Sequence, residues 1–177
     1  MAASQTSSEA GDTAEHGQYL KFQLGEDTFA VGILHVKEII EYGSLTAVPM
    51  MPECIRGVIN LRGAVVPVVD LARRFGRRPA PVTRRTCIVI LEIDNGEGGR
   101  QDMGVVVDAV NAVVDIRAGE IEPAPAFGTR IRTDFICGMG RTEGRFLIIL
   151  DIARVLSLED LALLAQAVAA PEAVAAE

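Results

Sequence analysis

The first patterned stretch of the chain consists of short runs in which apolar and polar residues alternate. Residues 19–24 alternate with a period of two, residues 25–27 have turn composition, and residues 28–33 alternate again. Alternation bounded by turn residues is typical of half-buried strands, so the pattern predicts an N-terminal hairpin. Residues 36–42 are compatible with helix or strand, and their β-branched content favours a strand.

The most strongly patterned stretch is 54–75. Two β-branched runs flank Arg62 and Gly63, and Asp70 opens a short segment of helical composition, which predicts strand, tight turn, strand and a one-turn helix. The first position of a two-residue hairpin turn favours Asn, Asp or Gly, so Arg62 is unexpected there. Two interpretations stay open: Arg62 is an ordinary exposed turn residue beside a strained Gly63, or it is presented to a partner.

The second half of the chain repeats the first. Residues 86–93 and 104–108 predict two strands around a Gly-rich turn at 94–100. An offset of 74 relates the segment that begins at Val36 to the one that begins at Val110, and an offset of 81 relates residues 55–73 to 136–154. The second offset pairs Gly57 with Gly138 and Asp70 with Asp151. The chain therefore contains two copies of one small β unit.

The repeat predicts a mainly β fold. Each copy offers about five short strands, which suits a small closed barrel because closure removes exposed strand edges. Neither copy is long enough for a large core of its own, so two five-stranded barrels should share an apolar junction. We expect a disordered arm at 1–17, a first barrel at 18–80, a second barrel at 86–156, and a C-terminal helix at 157–170 that packs on the barrels.

Composition narrows the class of function. Hydrophobic residues make up 49% of the 177 residues, aromatic residues 5%, and Trp is absent, which favours a core of aliphatic β structure. The net charge of −7 argues against nucleic-acid binding, so proteins are the expected partners. A polar opening segment and the absence of a long apolar run predict a cytoplasmic protein without a signal peptide or membrane helix.

Residues that could support catalysis do not converge in the sequence. There is no nucleophile elbow, phosphate loop or Cys-x-x-Cys pair, so we expect no catalytic site, metal or cofactor. Asp70 and Asp151 occupy equivalent positions and are interpreted as helix N-caps rather than as a carboxylate pair. His35 is interpreted as a packed strand residue. An enzyme with scattered residues at the barrel junction is the alternative from another class.

Two further sets of residues have plain structural interpretations. Cys54, Cys87 and Cys137 are far apart and lie in apolar contexts, which predicts reduced core thiols. Basic residues cluster around the linker at 77–85, and we interpret that segment as a solvated loop rather than as an anion site. The cluster comprises Arg73, Arg74, Arg77, Arg78, Arg84 and Arg85.

Positions that break the repeat are candidates for contact with a partner. Ala112 stands where the first copy has Glu38, and Glu143 stands where it has Arg62. Arginine beside an apolar surface is a common anchor for protein contacts, through bidentate hydrogen bonds and stacking. The sequence leaves this role and that of an ordinary exposed turn residue nearly balanced.

Several of these segments resemble the CheW family of chemotaxis coupling proteins. The resemblance extends over roughly 18–168, and the string from Gly57 to Gly63 is specific to this family and its relatives. It also rests on the residues 29–38, 55–71, 104–110, 121–127 and 147–152. The basic linker at 77–85 and the Gly-rich turn at 94–100 depart from the family pattern, and both concern the edges expected to face a kinase.

The resemblance implies a non-catalytic scaffold of two SH3-like five-stranded barrels. Such proteins couple transmembrane chemoreceptors to the histidine kinase CheA, and are recruited from the cytoplasm to receptor arrays at the membrane. A groove between the barrels would take the helical tip of the receptor, and barrel edges would dock on the regulatory domain of the kinase. The matching receptor-contact positions are Val36, Glu38, Gly57, Arg62 and Val113. Coupling in a non-flagellar array, for pili or development, is the alternative.

Overall fold

The structure is a computed structural model that describes residues 16–43, 45–94, 98–123, 132–157 and 161–162. The predicted N-terminal arm lies outside the described residues, except for its last two positions, which begin the first strand. Most of the predicted C-terminal helix also lies outside them. Residues 161 and 162 are helical, and the Leu161 amide donates to the Ser157 carbonyl oxygen at 3.0 Å. Among the described residues, no helix is both long and apolar enough to cross a membrane.

The described part of the chain is mainly β, as predicted. Short 3-10 turns at Ile33–His35, Ala118–Glu120 and Thr133–Phe135 connect some of the elements. The strands are β1 (His16–Leu24), β2 (Asp27–Gly32), β3 (Val36–Glu41), β4 (Ile55–Leu61), β5 (Ala64–Asp70), β6 (Cys87–Asp94), β7 (Arg100–Val107), β8 (Ala109–Arg117), β9 (Ile136–Thr142) and β10 (Arg145–Leu150). The helices are α1 (Leu71–Arg74) and α2 (Ile152–Val155).

These strands form two five-stranded sheets with the same internal order. One sheet runs β8-β1-β2-β10-β9, and the other runs β3-β6-β7-β5-β4. Each strand of the first sheet has its repeat equivalent at the same place in the second. Within each sheet, the first hairpin of one copy lies between strands of the other copy. The second strand of that hairpin pairs in parallel with one of these strands, β2 with β10 in one sheet and β7 with β5 in the other.

The two copies have therefore exchanged their first hairpins, and the predicted barrel boundaries at 18–80 and 86–156 are wrong. The β1–β2 hairpin belongs to the barrel that contains β8 to β10, and the β6–β7 hairpin belongs to the barrel that contains β3 to β5. The physical reason is that each hairpin has apolar residues on both faces. In the second hairpin, Val89, Leu91 and Val105 enter the central core, whereas Ile88, Ile90 and Val106 enter the core of one barrel.

The predicted apolar junction between the barrels is present as the largest core cluster. It takes side chains from both sheets and from both short helices, among them Phe22, Phe29, Leu91, Phe135 and Leu156. Each barrel has a smaller core of its own, around Ile88 and Ile90 in one sheet and around Ile116 and Leu147 in the other. Arg74 adds a polar link between the copies, because its Nε donates to the Val155 carbonyl oxygen at 2.7 Å. Position 155 is the repeat equivalent of position 74.

Local features of the repeat also agree between the copies. Asp70 and Asp151 are the N-caps of α1 and α2, and their side chains accept from the amides of Arg73 and Arg154, as predicted. The β4–β5 turn and the equivalent β9–β10 turn each carry a residue with positive φ before the glycine, 54° at Arg62 and 53° at Glu143. The sequence repeat therefore corresponds to a structural repeat down to single backbone conformations.

Three predictions about individual residues are wrong. His35 is exposed in a 3-10 turn and is not a packed strand residue, because the strand begins only at Val36. Cys54 is buried, and burial raises the pKa of its thiol, but Cys137 is exposed on β9, which is an edge strand. The basic linker is not wholly solvated, because Arg77 packs over the Phe29 ring and pairs with Asp27 at 2.7 Å.

Candidate partner-binding surface

A gap between β3 and β4, the two end strands of one sheet, is the place where several of the predicted contact residues meet. The chain after β3 closes the sheet through a bridge in which Thr46 and Val58 exchange two backbone hydrogen bonds, each of 2.9 Å. Below the bridge the two strands leave a surface groove of about 400 Å³. It is lined by Ile40, Glu41, Tyr42, Gly43, Ile59, Asn60 and Leu61.

An ion pair connects the same two strands next to this groove. Arg62 Nη2 donates to Glu38 Oε2 at 2.9 Å, which joins the two charged residues that the broken repeat had singled out. The Arg62 side chain is 74% exposed, whereas that of Glu38 is 22% exposed. An ion pair with one such exposed partner contributes only about 0–1 kcal/mol to stability, so the fold gains little from it.

Glu38 keeps part of its hydrogen-bonding capacity unused. Its second oxygen, Oε1, is buried and has no hydrogen-bond partner among the described residues. A buried acceptor without a partner costs about 1–3 kcal/mol. The exposed guanidinium of Arg62 is thus the part of the pair that a partner can reach.

The turn that carries Arg62 holds it in a conformation that is unusual for a long side chain. Arg62 and Gly63 have φ of 54° and 87°, so both residues of the turn are left-handed and the strain is not confined to Gly63. The Asn60 side-chain oxygen accepts from the Gly63 amide at 2.9 Å and closes the turn. Because Glu143 has the same conformation, the left-handed turn belongs to the repeat, and only the positive charge is particular to Arg62.

Gly57 lies beneath this surface, not on it. It is buried at a bulge in β4 with φ of 154°, and a methyl group there would collide with the Thr46 carbonyl oxygen. Gly138, its repeat equivalent, lies against Glu122 in the corresponding bridge of the other sheet. The structure therefore places Gly57 where the sheet closes, and a role in partner contact stays a prediction.

The two predicted valines lie in different sheets. Val36 begins β3, pairs with Leu91 of β6 and packs against the central core. Val113 lies on β8 opposite Leu20, with half of its surface exposed. Its repeat equivalent, Ile39, is 44% exposed on β3. The structure thus brings Glu38 and Arg62 into contact and places Val36 on the same strand as Glu38, whereas Val113 belongs to the equivalent edge strand of the other barrel.

One residue of this surface was missed by sequence reasoning. Arg56 Nε donates to Asp70 Oδ2 at 3.1 Å, and its Nη1 donates to the Tyr42 hydroxyl group at the rim of the groove. Its guanidinium carbon also lies 5.5 Å from the centroid of the Tyr42 ring. The side chain of Asp70 is 3% exposed, so this is a largely buried charge pair that holds the groove wall to the start of α1. The available signal was another break in the repeat, since Cys137 stands at the equivalent position.

The chain is similar to proteins of one known family. The family model of the CheW-like domain matches residues 18–160. The chain belongs to the CheW-like family. The chemotaxis protein CheW of Klebsiella aerogenes is 36% identical over 154 residues, which cover 87% of this chain and 89% of that protein. The chemotaxis protein CheW of Bacillus subtilis is 35% identical over 139 residues, covering 78% of this chain and 85% of that protein.

A solved structure and a further relative are also similar to this chain. The crystal structure of the scaffolding protein TtCheW from Thermoanaerobacter tengcongensis superposes with a TM-score of 0.72 at 35% identity, covering 80% of this chain and 88% of that one. The protein FrzA of Myxococcus xanthus is 32% identical over 111 residues, which cover 63% of this chain and 66% of FrzA. This chain is a chemotaxis coupling protein of the CheW family, with the scaffold fold of that family.

Proposed function

We propose that this chain is a non-catalytic adaptor that couples transmembrane chemoreceptors to the histidine kinase CheA. The observation that carries the proposal is the Arg62–Glu38 ion pair, which contributes little to the fold and lies beside the groove between β3 and β4. The names of the related proteins support it, since they are chemotaxis proteins and one solved relative is called a scaffolding protein.

The receptor side of this function fits a helix laid along the groove and the barrel junction. Apolar side chains such as Ile40 and Leu61 supply contact area, and the Arg62–Glu38 pair sets the register of a helix that carries charged or polar groups. Val36 lies next to the junction core, and Val113 extends the contact to the edge strand of the second barrel. Gly57 acts from below by keeping the sheet closed.

The kinase side fits a partner that repeats the same fold. Val65 on β5 and Phe146 on β10 are repeat equivalents, and they are 72% and 53% exposed. Large apolar side chains that stay exposed at equivalent places on two barrels are suited to a partner with matching pseudo-symmetry. We assign these two surfaces to the regulatory domain of CheA, and the adaptor reaches the membrane through the receptors it binds.

Replacing Arg62 tests the receptor contact. Arg62→Ala is expected to retain the fold, with a change in the free energy of unfolding of roughly 0.5 kcal/mol, because the side chain is exposed. It should reduce recovery of the ternary complex when receptor-containing membranes, adaptor and kinase are co-sedimented. Glu143→Ala is the matched control, since it changes the same left-handed turn position in the other barrel. Equal recovery of the two variants would remove Arg62 from the receptor contact.

A second candidate is coupling within a non-flagellar chemosensory array. The similarity to FrzA of Myxococcus xanthus is the observation that favours it. Both candidates use the same surfaces and differ in the kinase and receptors that are bound. Pull-down with the adaptor as bait, in cells that contain both kinds of array, separates them by the kinase recovered.

A further inference from the structure

A basic cleft lies beside α1 and has no described lining residue in common with the groove between β3 and β4. It has a volume of about 530 Å³ and is lined by Glu53, Arg73, Gly76, Arg77, Arg78 and Pro79. The whole chain has a net charge of −7, yet this lining contains three arginines and one carboxylate. Positive charge is thus concentrated here against the sign of the molecule.

The three arginines differ in how far they are already paired. Arg73 contacts Glu53 at 3.3 Å, and Arg77 contacts Asp27 at 2.7 Å. The Nε of Arg77 is buried and has no hydrogen-bond partner among the described residues. Arg78 forms no ion pair with any residue in the described ranges. Arg78 is therefore the guanidinium group most available to an added anion, because it is exposed, whereas the unpaired Nε of Arg77 is buried.

The backbone fixes where these side chains begin. Gly76 has φ of 76° and ends α1 in the left-handed conformation that commonly follows a helix. Its amide donates to the Arg73 carbonyl oxygen at 3.0 Å, and the Arg77 amide donates to that of Ala72 at 2.7 Å. Arg77 is further held by its contact with the Phe29 ring. The basic side of the cleft is therefore built on an ordered turn.

We propose that this cleft binds a phosphate-bearing small molecule. Guanidinium groups match phosphate oxygens through paired, charge-assisted hydrogen bonds, and the volume lies within the range of small-ligand sites. Among the lining residues that the structure describes, four of the six are charged, which favours a charged ligand. The Glu53 side chain is 88% exposed and turns outward to release Arg73 when the anion binds.

Calorimetric titration of the full chain with pyrophosphate, ADP and adenosine tests the proposal. Saturable binding is expected for pyrophosphate and ADP, and none for adenosine, because the phosphate groups carry the recognition. Binding of adenosine as tight as that of ADP would overturn the proposal. So would the absence of saturable binding by pyrophosphate.

Three variants locate the site. Arg78→Gln should weaken pyrophosphate binding roughly tenfold or more, through loss of a charge-assisted contact. Arg84→Gln makes the same change of charge at an exposed linker residue outside the lining and should leave the affinity unchanged. Glu53→Gln removes the opposing carboxylate and should tighten binding. Equal weakening by Arg78→Gln and Arg84→Gln would mean that general charge, not this cleft, attracts the anion.

Discussion

Arg62 and Glu143 share one backbone conformation and differ in charge. Both occupy the left-handed first position of a hairpin turn, so the turn itself is inherited by both copies. Arg62 alone reaches a carboxylate on the neighbouring end strand, at 2.9 Å. The pair adds little stability because its arginine is exposed, which is compatible with the proposed role in recognition of a partner.

Gly57 differs from Arg62 because it is buried where the sheet closes, so we expect its replacement to reduce stability. Gly57→Ala should destabilise the protein by about 2–4 kcal/mol, since the methyl group collides with the Thr46 backbone and φ is positive. Gly63→Ala is the control, because Gly63 also has positive φ but has open space around it, so about 1 kcal/mol is expected. Chemical denaturation compares the two, and similar losses would show that the approach to Thr46 costs nothing.

The helices α1 and α2 are repeat equivalents, but the N-cap of α1 forms ion pairs that the N-cap of α2 lacks among the described residues. Both N-cap carboxylates accept from a backbone amide, but among the described residues only Asp70 also pairs with arginines, with Arg56 at 3.1 Å and with Arg73 at 4.0 Å. Asp70→Ala should therefore cost about 2–4 kcal/mol, from loss of the cap and from leaving Arg56 without its partner. Asp151→Ala should cost about 1 kcal/mol, for the cap alone.

Urea unfolding of the two aspartate variants provides the measurement. The comparison is informative because both changes shorten the same residue type at equivalent positions. If the two losses are equal, the Arg56–Asp70 pair does not stabilise the groove wall. A larger loss for Asp70→Ala, partly relieved by adding Arg56→Met, would assign the difference to the unpaired guanidinium.

Most elements were predictable because their signals are local. Alternation and turn residues locate the first hairpin, and the one-turn helices after Asp70 and Asp151 follow from N-cap chemistry. The strand β7 was predicted too short, at 104–108. It begins at Arg100 because its first residues pair with the end of β6, Arg100 opposite Asp94. Such an extension depends on the partner strand, which local composition does not specify.

At the scale of the whole molecule, the exchange of hairpins makes each barrel a product of both copies. A protease site introduced in the exposed linker near Pro81 allows this to be tested. After cleavage, the two pieces should co-elute under native conditions, because the sheets and the central core join them. Separated in denaturant and refolded singly, each piece should give the circular dichroism of an unfolded chain, and mixing should restore the β spectrum.

Independent refolding of either piece would contradict this prediction. It would mean that a single copy can complete its own barrel with its own hairpin. We expect neither piece to refold alone, because the first hairpin of each copy packs one face in the central core and the other face in the barrel of the opposite copy. Alone, each piece has too little buried apolar surface for a stable core.

The sequence by itself determined the features that depend on near neighbours along the chain. These are the repeat, the tight turn at Arg62 and Gly63, the N-caps, and the singling out of Glu38 and Arg62 as positions that break the repeat. Only the tertiary structure decided which copy's first hairpin completes which barrel. It also decided that Arg56 pairs with Asp70 and that the Arg77 side chain packs against the Phe29 ring. The physical reason is that strand alternation and turn chemistry act locally, whereas the choice of partner strand is made by burial of both faces of a hairpin at long range.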